Sequence, residues 1–379
     1  MNCRSCGAPT ELVLSLKKQP LANELLTTAD SPFECYPLEV MYCLSCSLGQ
    51  LRDVVLPEKM FVEYLYYSTV SNSVVNAART LVERVSKTLS EDALVIEIAS
   101  NDGYLLQFYD GLGIQVLGID PARGPANEAA LKGIPTVQDF FSLKLAKQLP
   151  KADVIHANNV LAHVPSTNDF VAGIAEVLKP DGVCIVEVPY FGDLISKGNF
   201  DTIYHEHVFY FSFKSLAILF GRNGLHIQEV EHLESQGGSL RITASKNGTS
   251  CQFEEWGLEG VPTLQQQVDE IAVKLKSTLL KLKEKGKRVW GFGAAAKATV
   301  MMNYCNIDHT LIEAVADDAP AKFQKFIPGT RTEVLYPKNW LEARPDYTCI
   351  FSWNYAQEIM ERFKYNYEGK FFIPTQSDI

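Results

Sequence analysis

The segment from Asp201 to Phe211 reads DTIYHEHVFYF. Four neighbours in it, Tyr204, His205, Glu206 and His207, can each bind or release a proton. A histidine near its ordinary pKa is a good general base at neutral pH. In an extended segment, Tyr204 and Glu206 would point one way and His205 and His207 the other. The HxH spacing also permits metal binding, but no third ligand is evident nearby, so proton chemistry is the preferred reading.

A second group of residues points to metal. Cys3 and Cys6 form one CxxC, and Cys43 and Cys46 form another. Two such knuckles supply the four soft donors of a tetrahedral zinc ion, each knuckle binding from one tight turn. The long segment between them would have to fold back as a hairpin-like excursion, with Cys35 left over. Four thiolates leave no open position for a reactant, so the expected role is structural. A redox CxxC, or zinc in an interaction module, would read the same way in sequence.

These groups need elements to position them. Leu94–Asp120 reads LVIEIASNDGYLLQFYDGLGIQVLGID. Leu94–Ile98 and Val116–Ile119 suit buried strands, and Tyr104–Tyr109 suits a helix. Strand, Gly-containing turn, helix and a strand ending in Asp120 make a nucleotide-binding half of a doubly wound sheet. The turn lacks GxGxxG. Glu97, Ser100, Asn101 and Gly103 suit S-adenosylmethionine (SAM) better than NAD, since SAM has no pyrophosphate but carries a sulfonium and an amino acid end. Asp120 is placed to accept from a ribose, and Asp139 and Phe140 to read an adenine. Asn158-Asn159 closes the strand Asp153–Ala157, in the expected ligand crevice. Val183–Val188 is a further strand. Ahead of this unit, Tyr64, Tyr66 and Tyr67 crowd EYLYYSTVSNSVVN, as a packing segment or as a lid. A helix is expected over Val74–Leu89. Beyond the strand Ile227–Glu231, Gly237-Gly238 is a turn, with Ser239 and Arg241 placed to touch a ligand.

Thr263–Lys287 has apolar residues at helical spacing, with Thr263 as N-cap. RVWGFGAAAKATV follows. Gly291, Gly293 and Ala296 fit GxGxx(G/A), and IEAVADD ends a strand at Asp317. NAD would be the reflex reading of this loop. With a SAM-like site already present, it is better read as a pocket for a nucleotide substrate, with Lys297 at the helix start to meet a phosphate. A strand and helix follow over Tyr347–Ile359, with Trp353 and Asn354 at their junction.

At 379 residues the chain has room for two or three domains. A formal charge of −10 argues against broad nucleic-acid binding. No apolar run reaches the roughly 18 residues that span a bilayer, and MNCRSCGAPT lacks a signal pattern. A cytoplasmic protein that binds neither nucleic acid nor membrane is expected. Its nine cysteines are then metal ligands and buried thiols, not disulfides.

Together, Cys3/Cys6/Cys43/Cys46, YLYYS, EIASNDGYLL, NNVLAHV, YHEHVFYFS, GGSLR and GFGAAAK resemble the SAM-dependent C-methyltransferases of deoxysugar biosynthesis, over essentially the whole chain. The resemblance implies an α/β protein. An N-terminal zinc-binding module (1–72) with a substrate-facing Tyr segment precedes a Rossmann-like SAM methyltransferase domain (73–247). A second Rossmann-like domain (248–379) follows and holds the nucleotide part of the substrate. The implied reaction places a methyl on carbon 3 of a nucleoside-diphosphate 4-keto-6-deoxyhexose, linked to dTDP or GDP, and the enzyme is expected to act as a monomer. Proton loss beside the ketone gives an enolate that attacks the methyl of SAM. The resemblance makes His207 the base, with Tyr204 and Glu206 holding the sugar or steering the base. Tyr66, or else Tyr64, reaches the sugar or the enolate. Arg241, Gly293, Lys297 and Asp317 complete the substrate contacts. The alternatives are a SAM-dependent enzyme acting on another carbonyl compound, an NAD-dependent enzyme using Gly291–Lys297, and a non-catalytic zinc-ribbon protein.

Overall fold

The computed structural model describes residues 1–56, 60 and 67–376, so Tyr64 and Tyr66 lie outside the described residues. Its named strands form three sheets. In the first, β1 (Glu11–Pro20), β2 (Cys35–Tyr42) and β3 (Gly49–Leu51) pair antiparallel. The β1–β2 pair is the excursion expected between the two CxxC knuckles, and Cys35 at the start of β2 is exposed. A fourth strand, β9 (Phe209–Tyr210), comes from far along the chain and pairs with β3.

The second sheet runs β10-β11-β8-β7-β4-β5-β6. Here β4 (Leu94–Ile98), β5 (Gln115–Ile119), β6 (Thr136–Val137), β7 (Ala152–Asn158) and β8 (Leu178–Pro189) are parallel. β11 (Ser239–Ser245) runs antiparallel to β8, and β10 (His226–Leu233) antiparallel to β11. From β4 the connection goes to β5 on one side, and β7 lies on the other. The strand order reverses there and opens a crevice at the strands' carboxyl ends.

Both faces of this sheet are covered, which is why its strands read as apolar runs. On one face, Ala78, Leu81 and Val82 of the helix Asn72–Val85 pack with Val95, Tyr109 and Val116. That helix starts two residues before the expected Val74, capped by the Ser71 hydroxyl, and gives way to a 3-10 turn at Ser86. The next helix begins at Leu106 rather than Tyr104, because the chain is still turning there. On the other face, Ile96, Phe170, Phe209 and Phe220 share one core with Cys43, Cys46 and Leu48. The zinc-type knuckles and the second sheet therefore bury a common apolar surface.

The third sheet runs β14-β15-β13-β12-β16-β17. It comprises β12 (Val289–Phe292), β13 (Ala314–Ala316), β14 (Phe326–Ile327), β15 (Thr332–Leu335), β16 (Tyr347–Ile350) and β17 (Lys370–Phe372). Only β14 is antiparallel, and the order again reverses at the first strand, β12.

The long helix Leu264–Glu284 buries Leu264, Val268, Leu275, Leu279 and Leu282. At about 1.5–3 kcal/mol for each such side chain, this stripe is a substantial seam. It joins Leu14, Leu38 and Val40 of the first sheet, Phe191 and Phe200, and Val300 and Met301 of the third unit in one core. Thr263 holds the N-cap position, but its hydroxyl donates to the Gly260 carbonyl at 3.2 Å and does not cap. Among the described residues, no helix is long and apolar enough to cross a membrane.

Candidate active site and metal centre

The four cysteines converge. Cys3 and Cys46 Sγ are 3.7 Å apart, Cys6 and Cys43 Sγ are 3.5 Å apart, and all four sulfurs lie within 4.8 Å of one another. Thiolates about 2.3 Å from a tetrahedral zinc stand roughly 3.8 Å apart, so the cluster already has the span the ion needs. Each knuckle is a closed turn: the Gly7 N–H donates to Cys3 O at 2.9 Å, and the Ser47 N–H to Cys43 O at 2.8 Å. With four thiolates the shell is complete, and the zinc site is structural.

At the crevice, the chain after β4 turns left-handed at Ala99 (φ 59°), Asn101 (φ 49°) and Gly103 (φ 74°). Such a conformation costs a residue like alanine about 1–2 kcal/mol. The loop is held by N–H donations from Ala99 to Ile119 O at 2.7 Å and from Asn101 to Asp120 Oδ2 at 2.8 Å. Asp120 Oδ1 accepts from the Ala122 N–H, also at 2.8 Å. Asp120 therefore shapes the loop, and each of its oxygens keeps a lone pair for a ribose hydroxyl.

Glu97 is only 1% exposed, and neither of its oxygens has a well-formed hydrogen bond. Burial holds its carboxyl well above the usual range, and the charges of Asp120 and Asp102 push the same way. The neighbouring Tyr104 phenol opposes that shift. Ser100 Oγ and Asn158 Oδ1 are also buried without partners. Orphaned polar atoms so deep need a partner. The ammonium and hydrogen-bonding groups of SAM fit that need. The segment following the undescribed tyrosines closes over this loop: the Ser68 N–H donates to Asn101 Oδ1 at 2.9 Å, and Thr69 N–H and hydroxyl both donate to Asp102 Oδ2. Asp139 and Phe140 lie exposed on the loop after β6, with the Phe140 N–H donating to Asp139 Oδ1 at 2.7 Å.

The proton-transfer cluster is not extended. Residues 204–207 form a turn closed by the His207 N–H on Tyr204 O at 2.9 Å, so Tyr204 and His207 face each other instead of opposite sides. The local hydrogen bond outweighs the alternation that an extended strand would impose. Their rings stack 4.1 Å apart, and Tyr204 OH lies 2.9 Å from His207 Nε2. His207 Nδ1 lies 2.9 Å from the Thr202 carbonyl. A carbonyl only accepts, so Nδ1 carries the proton, and Nε2 presents a lone pair to the Tyr204 hydroxyl. Burial, reinforced by His163 and Lys297, holds His207 well below its ordinary pKa. The imidazole is therefore neutral at pH 7.

Three parts of the chain anchor this turn. His163, just past β7, donates from Nδ1 to the Glu206 carbonyl at 2.7 Å and packs edge-on against His207 at 4.8 Å. Asn23, from the loop after β1, donates to Glu206 Oε1 at 2.6 Å, and burial pushes Glu206 up to about 7. Phe200 packs on Tyr304 and Asp201 accepts from Trp353, both from the last unit. His205 turns away, buried against Tyr36, and is not part of the cluster.

Arg241, placed by the sequence to touch a ligand, is held in ion pairs on the sheet. Its guanidinium pairs with Glu187 at 2.8 Å and reaches Glu231 at 3.6 Å, in register across β8, β11 and β10. Glu187 in turn lies opposite Asn158 on β7, so the pair supports the crevice floor from one side.

In the third unit, Gly293 turns left-handed (φ 92°), and a Cβ there would fall 2.0 Å from Ser352 Oγ. Asp317 Oδ2 accepts from the Ala294 N–H at 2.7 Å, and Oδ1 from the Ala319 N–H at 2.8 Å. Lys322 Nζ sits 3.1 Å from Asp317 Oδ2. Lys297 lies 4.3 Å over the Trp353 ring and donates to Asn354 Oδ1 at 2.6 Å. Burial lowers it to about 8 against the pull of Asp201. The sequence reading missed His163, Asn23 and the Asp201–Trp353 hydrogen bond as parts of this neighbourhood. Each arrives by a long-range contact, and only the histidine in NNVLAHV offered a residue type that could have flagged it.

Comparison with known proteins agrees with this geometry. Family models match a zinc binding domain over residues 3–61, a methyltransferase domain over 73–230 and a C-methyltransferase C-terminal domain over 234–375. The C-methyltransferase NovU of Streptomyces niveus is 31% identical over 98% of this chain and 94% of its own. A ubiquinone biosynthesis O-methyltransferase of Burkholderia orbicola is 27% identical over 42% of this chain and 75% of its own. The SAH-bound magnesium protoporphyrin IX methyltransferase structure from Synechocystis is 16% identical, covers 46% of this chain and 83% of its own, and has a TM-score of 0.38. With the first relative matched from end to end and all three modules in place, the chain belongs to the family of SAM-dependent C-methyltransferases.

Proposed function

We propose that the protein transfers a methyl group to carbon 3 of a nucleoside-diphosphate 4-keto-6-deoxyhexose, with residues 1–72, 73–247 and 248–379 serving metal, methyl donor and nucleotide. The observation that carries the reading is the neutral His207 imidazole, its Nε2 lone pair facing Tyr204 at the carboxyl edge of the methyltransferase sheet. A buried neutral base can take a proton from carbon beside a ketone. The carbon–hydrogen electrons move into the enolate, and the proton stays on His207 until it passes to solvent. Tyr204, whose hydroxyl donates to Nε2 at rest, turns that proton to the enolate oxygen once Nε2 is protonated. Glu206, near 7, steers the turn through Asn23 or holds a sugar hydroxyl. Tyr66, or else Tyr64, approaches from the zinc-module side.

SAM supplies an electrophilic methyl when bound. Glu97, Ser100, Asn101, Gly103, Asp120, Asp139, Phe140 and Asn158 are the residues proposed to hold it. The unpartnered atoms of Glu97, Ser100 and Asn158 support that assignment. Gly293, Lys297 and Asp317 are proposed to hold the nucleotide side of the substrate, and Arg241 to act through Glu187. The protein is proposed to work as a monomer in the cytoplasm.

The test is hydrogen exchange at carbon 3. Incubated in D2O with S-adenosylhomocysteine (SAH), the dTDP- or GDP-linked 4-keto-6-deoxyhexose should gain one deuterium. With SAM it should gain one methyl on carbon by mass spectrometry, and His207→Ala should abolish both. Methylation with no His207 dependence would overturn the base. Absence of exchange and methylation with either sugar would overturn the substrate.

A further inference from the structure

The Nδ1–H tautomer of His207 is held by the Thr202 carbonyl, which can only accept. That carbonyl belongs to the short 3-10 turn Phe200–Thr202, which is mounted on the last unit of the chain. The Phe200 ring, fully buried, packs 5.5 Å from Tyr304. Asp201, also fully buried, accepts from the Trp353 indole N–H at 2.8 Å. Trp353 in turn is wedged in place. Lys297 lies on one part of its ring at 4.3 Å, and Gly237 presses so close that a Cβ there would fall 2.4 Å from Trp353 Cη2.

We infer that Trp353 and Asp201 are positioning residues: their hydrogen bond fixes the Phe200–Thr202 turn, and so holds His207 in the Nδ1–H form that leaves Nε2 as the base. The physical requirement is simple. An imidazole with an acceptor at Nδ1 keeps its proton there. If the Thr202 carbonyl drifts, Nδ1 loses that partner, and the ring gains by placing the proton on Nε2 and donating to the Tyr204 oxygen. That tautomer cannot accept a proton at the face toward Tyr204. The last domain therefore does more than hold part of a substrate. It sets the state of a base that belongs to a different domain.

The meaning of the inference rests on His207 being the base, but its test does not. Uniformly 15N-histidine-labelled full-length protein, with the His207 signals assigned by their loss in His207→Gln, reports the tautomer from the two ring-nitrogen shifts. Wild type should show a neutral Nδ1–H imidazole. Trp353→Phe keeps the ring bulk and loses the N–H. Asp201→Ala loses the acceptor, and Asp201→Asn keeps an amide oxygen to accept it. The loss of one hydrogen bond should move the tautomer ratio by about tenfold in the first two variants. Asp201→Asn should restore the wild-type shifts, and SAH binding by calorimetry should stay unchanged throughout. Wild-type shifts in both Trp353→Phe and Asp201→Ala would overturn the inference. So would identical displaced shifts in Asp201→Asn and Asp201→Ala, a comparison that stands even if the tryptophan variant does not fold. Loss of carbon-3 exchange with the tautomer intact would strike at the proposed reaction alone.

Discussion

The two nucleotide-type loops of this chain have nearly the same backbone wiring and place their charged partners differently. In each, a carboxylate at the end of the second strand accepts one N–H from the loop after the first strand and one from the residue two positions on. For Asp120 these are Asn101 and Ala122, and for Asp317 they are Ala294 and Ala319. Around the first loop, both Glu97 oxygens, Ser100 Oγ and Asn158 Oδ1 are buried without a hydrogen-bond partner. The second closes its carboxylate with Lys322 at 3.1 Å. The lesson is that this wiring shapes a loop, whereas the neighbouring charges decide what it can receive. One loop is poised for a cationic, hydrogen-bonding ligand. In the other, the equivalent carboxylate is itself paired with a lysine, whereas the lysine beside the first loop, Lys132, lies on Asp102 at 3.6 Å and not on Asp120.

The largest effect should come from removing charge at the first loop. Glu97→Gln and Asp120→Asn each remove a charged partner worth about 1.5–3 kcal/mol, a loss of roughly ten- to hundredfold in SAH affinity by calorimetry. Asp317→Asn should leave SAH affinity unchanged; equal losses at both loops would erase the distinction. Burial raises the Glu97 pKa, so the ligand-free protein gains from protonated Glu97 at low pH and loses that stability as pH rises through the raised value. An ammonium bound there demands the ionised form. SAH binding should therefore tighten with rising pH and release up to about one proton. Glu97→Gln should bind with no proton release.

A smaller effect should separate two glycines at close approaches. A Cβ at Gly118 would fall 2.4 Å from Ser100 Oγ, and one at Gly293 would fall 2.0 Å from Ser352 Oγ. Each alanine should cost about 1–3 kcal/mol of stability in denaturant unfolding. Only Gly118→Ala should also weaken SAH binding. The smallest effect is expected of Lys322→Met, about 1 kcal/mol of stability with SAH binding intact. A drop in SAH affinity there would show the two loops to be coupled.

The sequence was most readable where chemistry and local geometry coincide. Cys3, Cys6, Cys43 and Cys46 needed only spacing, and Leu94–Ile98 is a strand over those same residues because an apolar run bounded by a polar turn has few other fates. Reading failed where a distant partner decided the outcome. The alternation expected for Tyr204–His207 gave way to a turn tied down by His163, Asn23 and Trp353 through Asp201, none of them near it in sequence. The ion pairs of Arg241 with Glu187 and Glu231, its partners on adjacent strands, were likewise invisible until the register was known. Thr263 sat at the right position, but its hydroxyl found the Gly260 carbonyl first.

The pairing of β3 with β9 has a consequence for how the protein is made. All four zinc ligands leave the ribosome within the first 46 residues, yet the sheet they brace stays one strand short until Phe209–Tyr210 has been synthesised. Through that interval β3 offers an unpaired edge, the kind of edge that recruits foreign strands. β9 follows directly on the Tyr204–His207 turn. The strand that closes the early sheet is thus tethered directly to the turn that carries His207, so sheet closure and placement of that turn involve the same stretch of chain.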